Sequence, residues 1–147
     1  MRRLVTGTNS DGLSCIVEES EVVPGPIEGA DRLLTAGLWA TQATPPPARP
    51  QQTGHFTDVR LTPGLVRWIV VDHEPHKGPS TASRMHHSDT LDLIVVLEGT
   101  TRLVLQSDAR DLAPGDCIVM TGVDHAFETG PDGCRMLSVA VGTPPLG

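Results

Sequence analysis

The sequence predicts an all-β fold, and three observations support this prediction. Short apolar runs rich in Val, Leu and Ile recur along the chain, separated by turn residues. The 15 Gly and 13 Pro among 147 residues suit short strands joined by tight turns. No window repeats apolar residues at three-to-four spacing over about eleven positions, so no helix is predicted.

The turns between the apolar runs set the order of the predicted strands. Residues 9–12 separate runs at 4–6 and 13–17 and predict a first hairpin. Residues 130–133 suit a turn because Pro131 pre-sets φ and Gly133 accepts a positive φ. Further turns are predicted at 98–99, 107–108 and 113–116. The remaining strands are predicted at residues 33–41, 65–71, 93–97, 103–105, 116–120, 125–129 and 135–141.

The chain length predicts a single domain over residues 1–147. We expect the N-terminal strands, residues 1–41, to pack on a sandwich or small barrel made by the later strands. A loop is expected at residues 43–52, because its four prolines cannot join a central strand. A second loop is expected at residues 73–85.

Composition disfavours several classes of partner. The 11 Lys and Arg against 18 Asp and Glu give a net charge of −7 without a basic run, which disfavours nucleic acids and anionic membranes. No apolar run approaches the roughly 18 residues of a membrane helix, and no secretory signal is recognised. Cys15, Cys117 and Cys134 form no CxxC pair and indicate a reducing, cytoplasmic location.

Two segments concentrate the polar chemistry. Alternate residues of an extended strand share a face, so His86, Ser88 and Asp92 are expected to point the same way unless a bulge intervenes. A second strand face is predicted to carry His125, Phe127 and Thr129. Buried polar groups need hydrogen bonds or a metal, so either a binding site or a set of internally satisfied side chains is possible. Taken singly, four histidines are interpreted as solvated: His55, His73, His76 and His87.

These segments resemble the two motifs of the cupin superfamily. His86-x-Ser88-x3-Asp92-x6-Gly99 is similar to the first motif, which reads His-x-His followed by Glu and Gly. The second motif is matched by Pro114-Gly115-Asp116-x5-Gly122-x2-His125-x3-Thr129. More narrowly, residues 85–92, 96–99 and 114–116 resemble small single-domain cupins. The resemblance implies a cupin-type antiparallel β-barrel (a double-stranded β-helix or jelly roll) and a homodimer formed through its sheets.

The resemblance also implies a metal site. Cupins usually hold a divalent metal with three His and one Glu, and these positions carry over to His86, Asp92 and His125, with Ser88 where a second His is usual. His87 is a further candidate ligand if a bulge turns it inward. Fe, Zn, Ni or Mn would suit such a set.

The same three residues, His86, Asp92 and His125, are the predicted catalytic residues, because an imidazole can shuttle a proton and a carboxylate can orient it. The predicted substrate-binding residues are Trp39, Trp68, Arg84, Ser88, Phe127 and Thr129. Core packing of the two tryptophans and solvation of Arg84 are the alternatives.

The resemblance favours a metal-assisted lyase of specialised metabolism. It would decarboxylate, or dehydrate and cyclise, a small polyketide-like or keto or hydroxy acid. One alternative is an Fe(II)-dependent dioxygenase that uses the same ligands. Another is a non-catalytic cupin that binds a small ligand in a degenerate metal site.

Overall fold

The computed structural model describes residues 2–8, 10, 14–26, 32–46, 53–54, 61–75, 85–107 and 109–145. Every element among them is a strand, which confirms the all-β prediction. These residues contain no helix long and apolar enough to span a membrane. The strands are β1 Arg2–Thr8, β2 Ser14–Glu21, β3 Gly25–Pro26, β4 Leu33–Ala40, β5 Val66–His73, β6 Thr90–Leu105, β7 Ala109–Leu112, β8 Cys117–Met120 and β9 His125–Gly142.

The strands form two antiparallel sheets. β1 pairs with β2 within the chain, which confirms the predicted first hairpin. The other sheet has seven strands in the order β3-β4-β5-β9-β6-β7, and β8 pairs with β6. β9 therefore lies between β5 and β6, and its side chains have neighbours on both sides.

Two predicted turns are irregularities inside long strands. β6 continues through residues 98–99 and β9 through residues 130–133. The β6–β9 register shifts between Val96 and Glu98 and again between Gly99 and Thr101. A Cβ added to Gly99 would overlap the Gly133 carbonyl group, and Gly99 has a φ of 71°. The glycine therefore permits a close crossing of two strands and not a hairpin turn.

Each face of the seven-stranded sheet carries its own cluster of buried apolar side chains. Val96, Phe127 and Met136 belong to one buried apolar cluster, and we call their side of the sheet the interior face. Val70 packs with Leu137 in a second cluster on the opposite side, which we call the outer face. Side chains alternate along a strand, and cross-strand partners share a face. The pairing register therefore assigns the other strand residues to one face or the other.

The segment after the first hairpin packs against the outer face. Val22 contacts the cluster that contains Ala36, Leu38 and Val70. This contact agrees with the expectation that the N-terminal part packs on the later strands, which stays a prediction for residues 1–41 as a whole. Residues 41–46 of the expected Pro-rich loop are not in a strand, and residues 47–52 lie outside the described part.

Candidate functional site

Two predicted site histidines lie side by side at the start of β9. The His86 amide donates to the His125 carbonyl oxygen (3.0 Å), and the His125 amide donates to the His86 carbonyl oxygen (2.9 Å). Their ring centroids are 4.5 Å apart. His125 is 8% exposed, whereas His86 is exposed. The pair therefore connects the interior to the solvent.

The backbone brings His86 to this place by a route that the sequence analysis did not predict. β6 begins at Thr90, so residues 86–89 do not continue it as an extended strand. The Thr90 amide donates to the Ser88 carbonyl oxygen (2.8 Å), which closes a tight turn. His86 reaches His125 through an isolated bridge, so its position is set by this bridge and not by a continuous strand that runs from His86 to Asp92.

A backbone carbonyl fixes the tautomer of His125. The Nδ1 atom of His125 lies 2.8 Å from the carbonyl oxygen of Val123. A carbonyl oxygen can only accept, so in the neutral ring the proton is on Nδ1. The Nε2 atom then carries the lone pair and can act as a base.

Burial keeps His125 neutral near pH 7. It lowers the pKa of the ring below the ordinary 6.5, because the charged imidazolium is disfavoured away from water. The hydrogen bond to Val123 opposes this shift, and the neighbouring His86 adds to it. Asp92 and Asp124 favour the charged form without reversing the direction. A neutral imidazole is the form that accepts a proton from a substrate.

Asp92 lies on the interior face of β6, held by two hydroxyl groups. Its carboxylate accepts a hydrogen bond from the Thr90 hydroxyl and a longer one, 3.5 Å, from the Ser138 hydroxyl. Both hydroxyl residues are buried. The charge of Asp92 raises the pKa of His125, so it stabilises the imidazolium that forms when His125 takes up a proton.

Phe127 separates His125 from a histidine that sequence analysis missed. The Phe127 ring centroid lies 5.8 Å from those of both His125 and His73. His73 ends β5 on the interior face, opposite Cys134. Burial lowers its pKa, with Asp72 opposing the shift. The signal that could have identified His73 is the alternation of side chains along β5. His73 lies two residues after the apolar Val71 and is therefore on the same face of the strand.

The sequence matches no protein-family model, and no curated protein matches it. Solved structures do match. The polyketide cyclase RemF from Streptomyces resistomycificus is 25% identical, with a TM-score of 0.57 over 85% of this chain and 78% of that chain. An RmlC-like cupin from Shewanella frigidimarina is 14% identical (TM-score 0.54; 82% and 84% covered). The Cnp3 cupin domain of Schizosaccharomyces pombe is 12% identical (TM-score 0.56; 96% and 87% covered).

Two of these three structures bear the family name and match most of this chain. The chain therefore has a cupin-type fold. This confirms the fold expected from the motifs, an all-β cupin fold, although the identities with the two named cupins show only the fold.

The described residues do not assemble the metal site that the cupin resemblance implied. Among them, no group of three or more His, Cys, Asp or Glu is placed to hold a metal ion. Ser88 stands where a second histidine is usual, and the Asp92 carboxylate is bound by hydroxyl groups. His87 does not turn inward, because its Nδ1 atom lies 3.2 Å from an Asp124 carboxylate oxygen at the surface. The donor set His86, Asp92 and His125 therefore does not fit a three-ligand metal.

The remaining predicted residues lie partly on the interior face and partly on the outer face or outside the described residues. Thr129 is buried on the interior face, where its hydroxyl lies 3.4 Å from that of Thr101. Trp39 and Trp68 are cross-strand partners, and Trp68 pairs with Val139 on the outer face. The prediction that the tryptophans line the same site as His125 is therefore wrong, because the strand alternation turns them to the other side of the sheet. Arg84 lies outside the described residues.

Two surface cavities of the protein lie away from the histidine pair. One, of about 440 Å³, is lined by residues that include Thr101, Arg102 and Asp111. The other, of about 190 Å³, lies beside His73 and Arg135. Neither is lined by His86, Asp92 or His125, whereas His73 lines the smaller one.

Proposed function

We propose that this cupin-type protein is a small-molecule lyase or cyclase that acts on a polyketide-like keto compound by acid–base chemistry at His125. The observation that carries the proposal is a neutral imidazole whose tautomer is fixed by Val123 and which contacts a second imidazole, His86. The similarity to RemF, which is named a polyketide cyclase, supports the substrate class.

The first step is removal of a proton from a carbon next to a carbonyl group. The Nε2 atom of His125 takes this proton, and the substrate becomes an enolate. The resulting imidazolium donates through Nδ1 to Val123 and is stabilised by the charge of Asp92. General-base catalysis of this kind typically contributes about 10²–10⁴ in rate.

The second step converts the enolate. Its carbon attacks another carbonyl group of the same molecule, which forms a ring bond and leaves an alkoxide. The imidazolium returns its proton to that oxygen, so His125 is neutral again. Removal of a neighbouring proton and departure of the hydroxyl group as water complete the dehydration. With a β-keto acid, the Nε2 atom of His125 takes the carboxyl proton, the carboxylate loses CO₂ to leave an enolate, and the imidazolium returns its proton to the enolate carbon.

His125 adjoins the apolar interior of the protein. Its ring contacts that of Phe127, which belongs to the buried cluster that also contains Met120 and Met136, and in this proposal these residues form the walls of the substrate site. Apolar walls with a few polar groups are typical of small-molecule sites, and they keep water from the enolate. His86 is exposed beside His125 and can pass protons to the solvent.

The test is turnover of an aryl β-hydroxy ketone, whose dehydration gives a conjugated enone with a strong absorbance. We expect the wild-type protein to accelerate this reaction. His125→Asn keeps a side-chain N–H that can donate to Val123 but removes the base, and we expect it to lose the activity. Cys117→Ser, at an exposed position of β8, is the control that should retain it. Equal rates with His125→Asn and wild type would contradict the proposal.

A non-catalytic binding protein is the second candidate function. Two departures from the usual cupin metal site favour it. The Asp92 carboxylate is hydrogen-bonded to two hydroxyl groups, and Ser88 stands in place of a histidine. This candidate predicts that keto compounds bind without turnover. The dioxygenase alternative requires three ligands that the described residues do not assemble, and we do not propose it.

We also propose that the outer face forms a homodimer. Trp68, Val139, Leu93 and Val119 lie in one cross-strand row on this face. Trp68, Leu93 and Val119 are 40%, 46% and 66% exposed, which is unusual for large apolar residues placed in a row. A second copy of the same row, related by a two-fold axis, would cover it with matching apolar surface.

A further inference from the structure

One carboxylate connects the two chain segments that flank the start of β9. Asp124 directly precedes His125, and both of its carboxylate oxygens have partners. Its Oδ1 atom lies 3.2 Å from the Nδ1 atom of His87, and its Oδ2 atom accepts a hydrogen bond of 2.8 Å from the side-chain amide of Gln106. A carboxylate can only accept, so the Nδ1 atom of His87 carries a proton and donates. Asp124 therefore joins a residue that precedes β6 to the residue that follows β6.

These contacts continue the strand pairing that brings the two site histidines together. His125 pairs with His86 on one side and with the last residue of β6 on the other. One residue along each antiparallel segment, Asp124 comes to lie between Gln106 and His87. The Asp124 contacts are therefore the next row after the two backbone hydrogen bonds between His86 and His125, of 3.0 and 2.9 Å.

The segment that carries His86 lies at the surface, at residues 85–89. Four of these five residues are exposed, and the segment forms a bridge with His125 and not a continuous strand. At its far end, the Thr143 amide donates to the Asp89 carbonyl oxygen at 2.9 Å. Segments with few buried contacts and exposed hydrogen bonds open locally at a low cost in free energy. An additional side-chain contact next to the bridge therefore changes how often this segment opens.

We propose that Asp124 is a positioning residue that keeps His86 beside His125 by holding the neighbouring His87. This inference rests on the proposed function, in which His86 passes protons between His125 and the solvent. The transfer requires the two rings to stay close, and their centroids are 4.5 Å apart. The hydrogen bond from Gln106 fixes the second oxygen of Asp124, so the carboxylate keeps its orientation toward His87.

Amide hydrogen exchange tests the assignment without any substrate. His86 and His125 each donate their amide to the other, so exchange of these two amides measures how often the bridge opens. We expect Asp124→Leu to raise this opening equilibrium about two- to fivefold, the contribution of an exposed ion pair. Amides of the β5–β9 ladder should keep their protection. Asp124→Asn retains an acceptor oxygen and should restore part of the protection of the bridge.

A matched control changes an aspartate that is paired elsewhere on the surface. Asp111→Leu makes the same substitution and breaks the exposed pair with Arg102, whose two atoms are 3.1 Å apart. It should leave exchange of the bridge amides unchanged. His87→Ala removes the partner and leaves Asp124 in place. It should reproduce the faster exchange, so it serves if Asp124→Leu does not fold.

Turnover of the aryl β-hydroxy ketone then connects the position of His86 with the reaction. Asp124→Leu should lower kcat by no more than the factor by which His86→Asn lowers it. When His86→Asn is already present, Asp124→Leu should lower kcat no further, since both changes act through the same group. An aspartate that only stabilised the fold would lower turnover in both backgrounds.

The exchange and turnover results separate the assignment from the proposed reaction. Unchanged exchange of the bridge amides in Asp124→Leu, the same increase in Asp111→Leu, or faster exchange throughout β9 would overturn the positioning role. A further loss of kcat in the double variant of Asp124 and His86 would also overturn it. Faster exchange confined to the bridge, in a protein that does not turn over the ketone, would keep the positioning role and reject the proposed reaction.

Discussion

The interior and outer faces of the seven-stranded sheet are made by the same strands but carry different chemistry. Met136 and Leu137 are neighbours in sequence, yet one packs in the cluster with Phe127 and the other with Val70. The interior face combines apolar walls with ionisable groups, whereas the outer face presents an exposed apolar row. One-residue alternation therefore separates a candidate reaction site from a candidate interface.

Removing the base tests the interior face most strongly. We expect His125→Asn to lower dehydration turnover by about 10²–10⁴, the contribution of a general base. His86→Asn should lower it less, because His86 is exposed and assists through His125. Steady-state kinetics with matched circular-dichroism spectra would check both. If His86→Asn lost more activity than His125→Asn, the roles of the two histidines would be reversed.

A matched pair of truncations compares the packing of the faces. Met136→Ala removes a side chain that is 3% exposed on the interior face, and we expect it to cost about 2–5 kcal/mol of unfolding free energy. Leu93→Ala acts on a residue that is 46% exposed on the outer face. Its cost in monomer stability should be near 0.5 kcal/mol, as for surface positions. Urea unfolding measures both, and similar costs would show that the faces are packed alike.

A charge on the outer row tests the proposed dimer. We expect Leu93→Glu to raise the dimer dissociation constant at least tenfold, since the two-fold axis would bring like charges together. Sedimentation velocity over a range of protein concentrations gives this constant. Thr100→Glu adds the same charge at an exposed position of β6 outside the row and should leave the constant unchanged. A wild-type protein that stays monomeric at high concentration would contradict the proposed dimer.

The buried histidines predict a smaller, pH-dependent effect. The folded chain lowers the pKa of His73 and His125 below the ordinary 6.5. Between the folded and unfolded pKa values the unfolded chain binds more protons, so these residues make stability fall as the pH drops below about 6.5 and add no pH dependence above it. His73→Gln should flatten that acid slope in urea titrations. A steeper slope in the variant would contradict the direction assigned to His73.

Much of the architecture could be predicted from sequence, because strands and turns have local signals. The first hairpin could be predicted from two apolar runs and the turn residues between them. The two histidine segments could be predicted from the spacing of the two cupin-like motifs. The continuity of β6 through Gly99 did not follow, since a glycine that ends a strand and one that permits a close crossing look the same in sequence. The buried position of His73 was missed because it depends on the register of β5 with β9. The tryptophans were misplaced for the same reason.

The central claim is that His125 is a neutral base with its proton on Nδ1, and nitrogen NMR of the imidazole rings tests it most directly. We predict that His125 in the folded protein titrates below 6.5 and that its neutral form shows a protonated Nδ1 and an unprotonated Nε2. A His125 pKa above 6.5, or a neutral ring protonated on Nε2, would contradict the account.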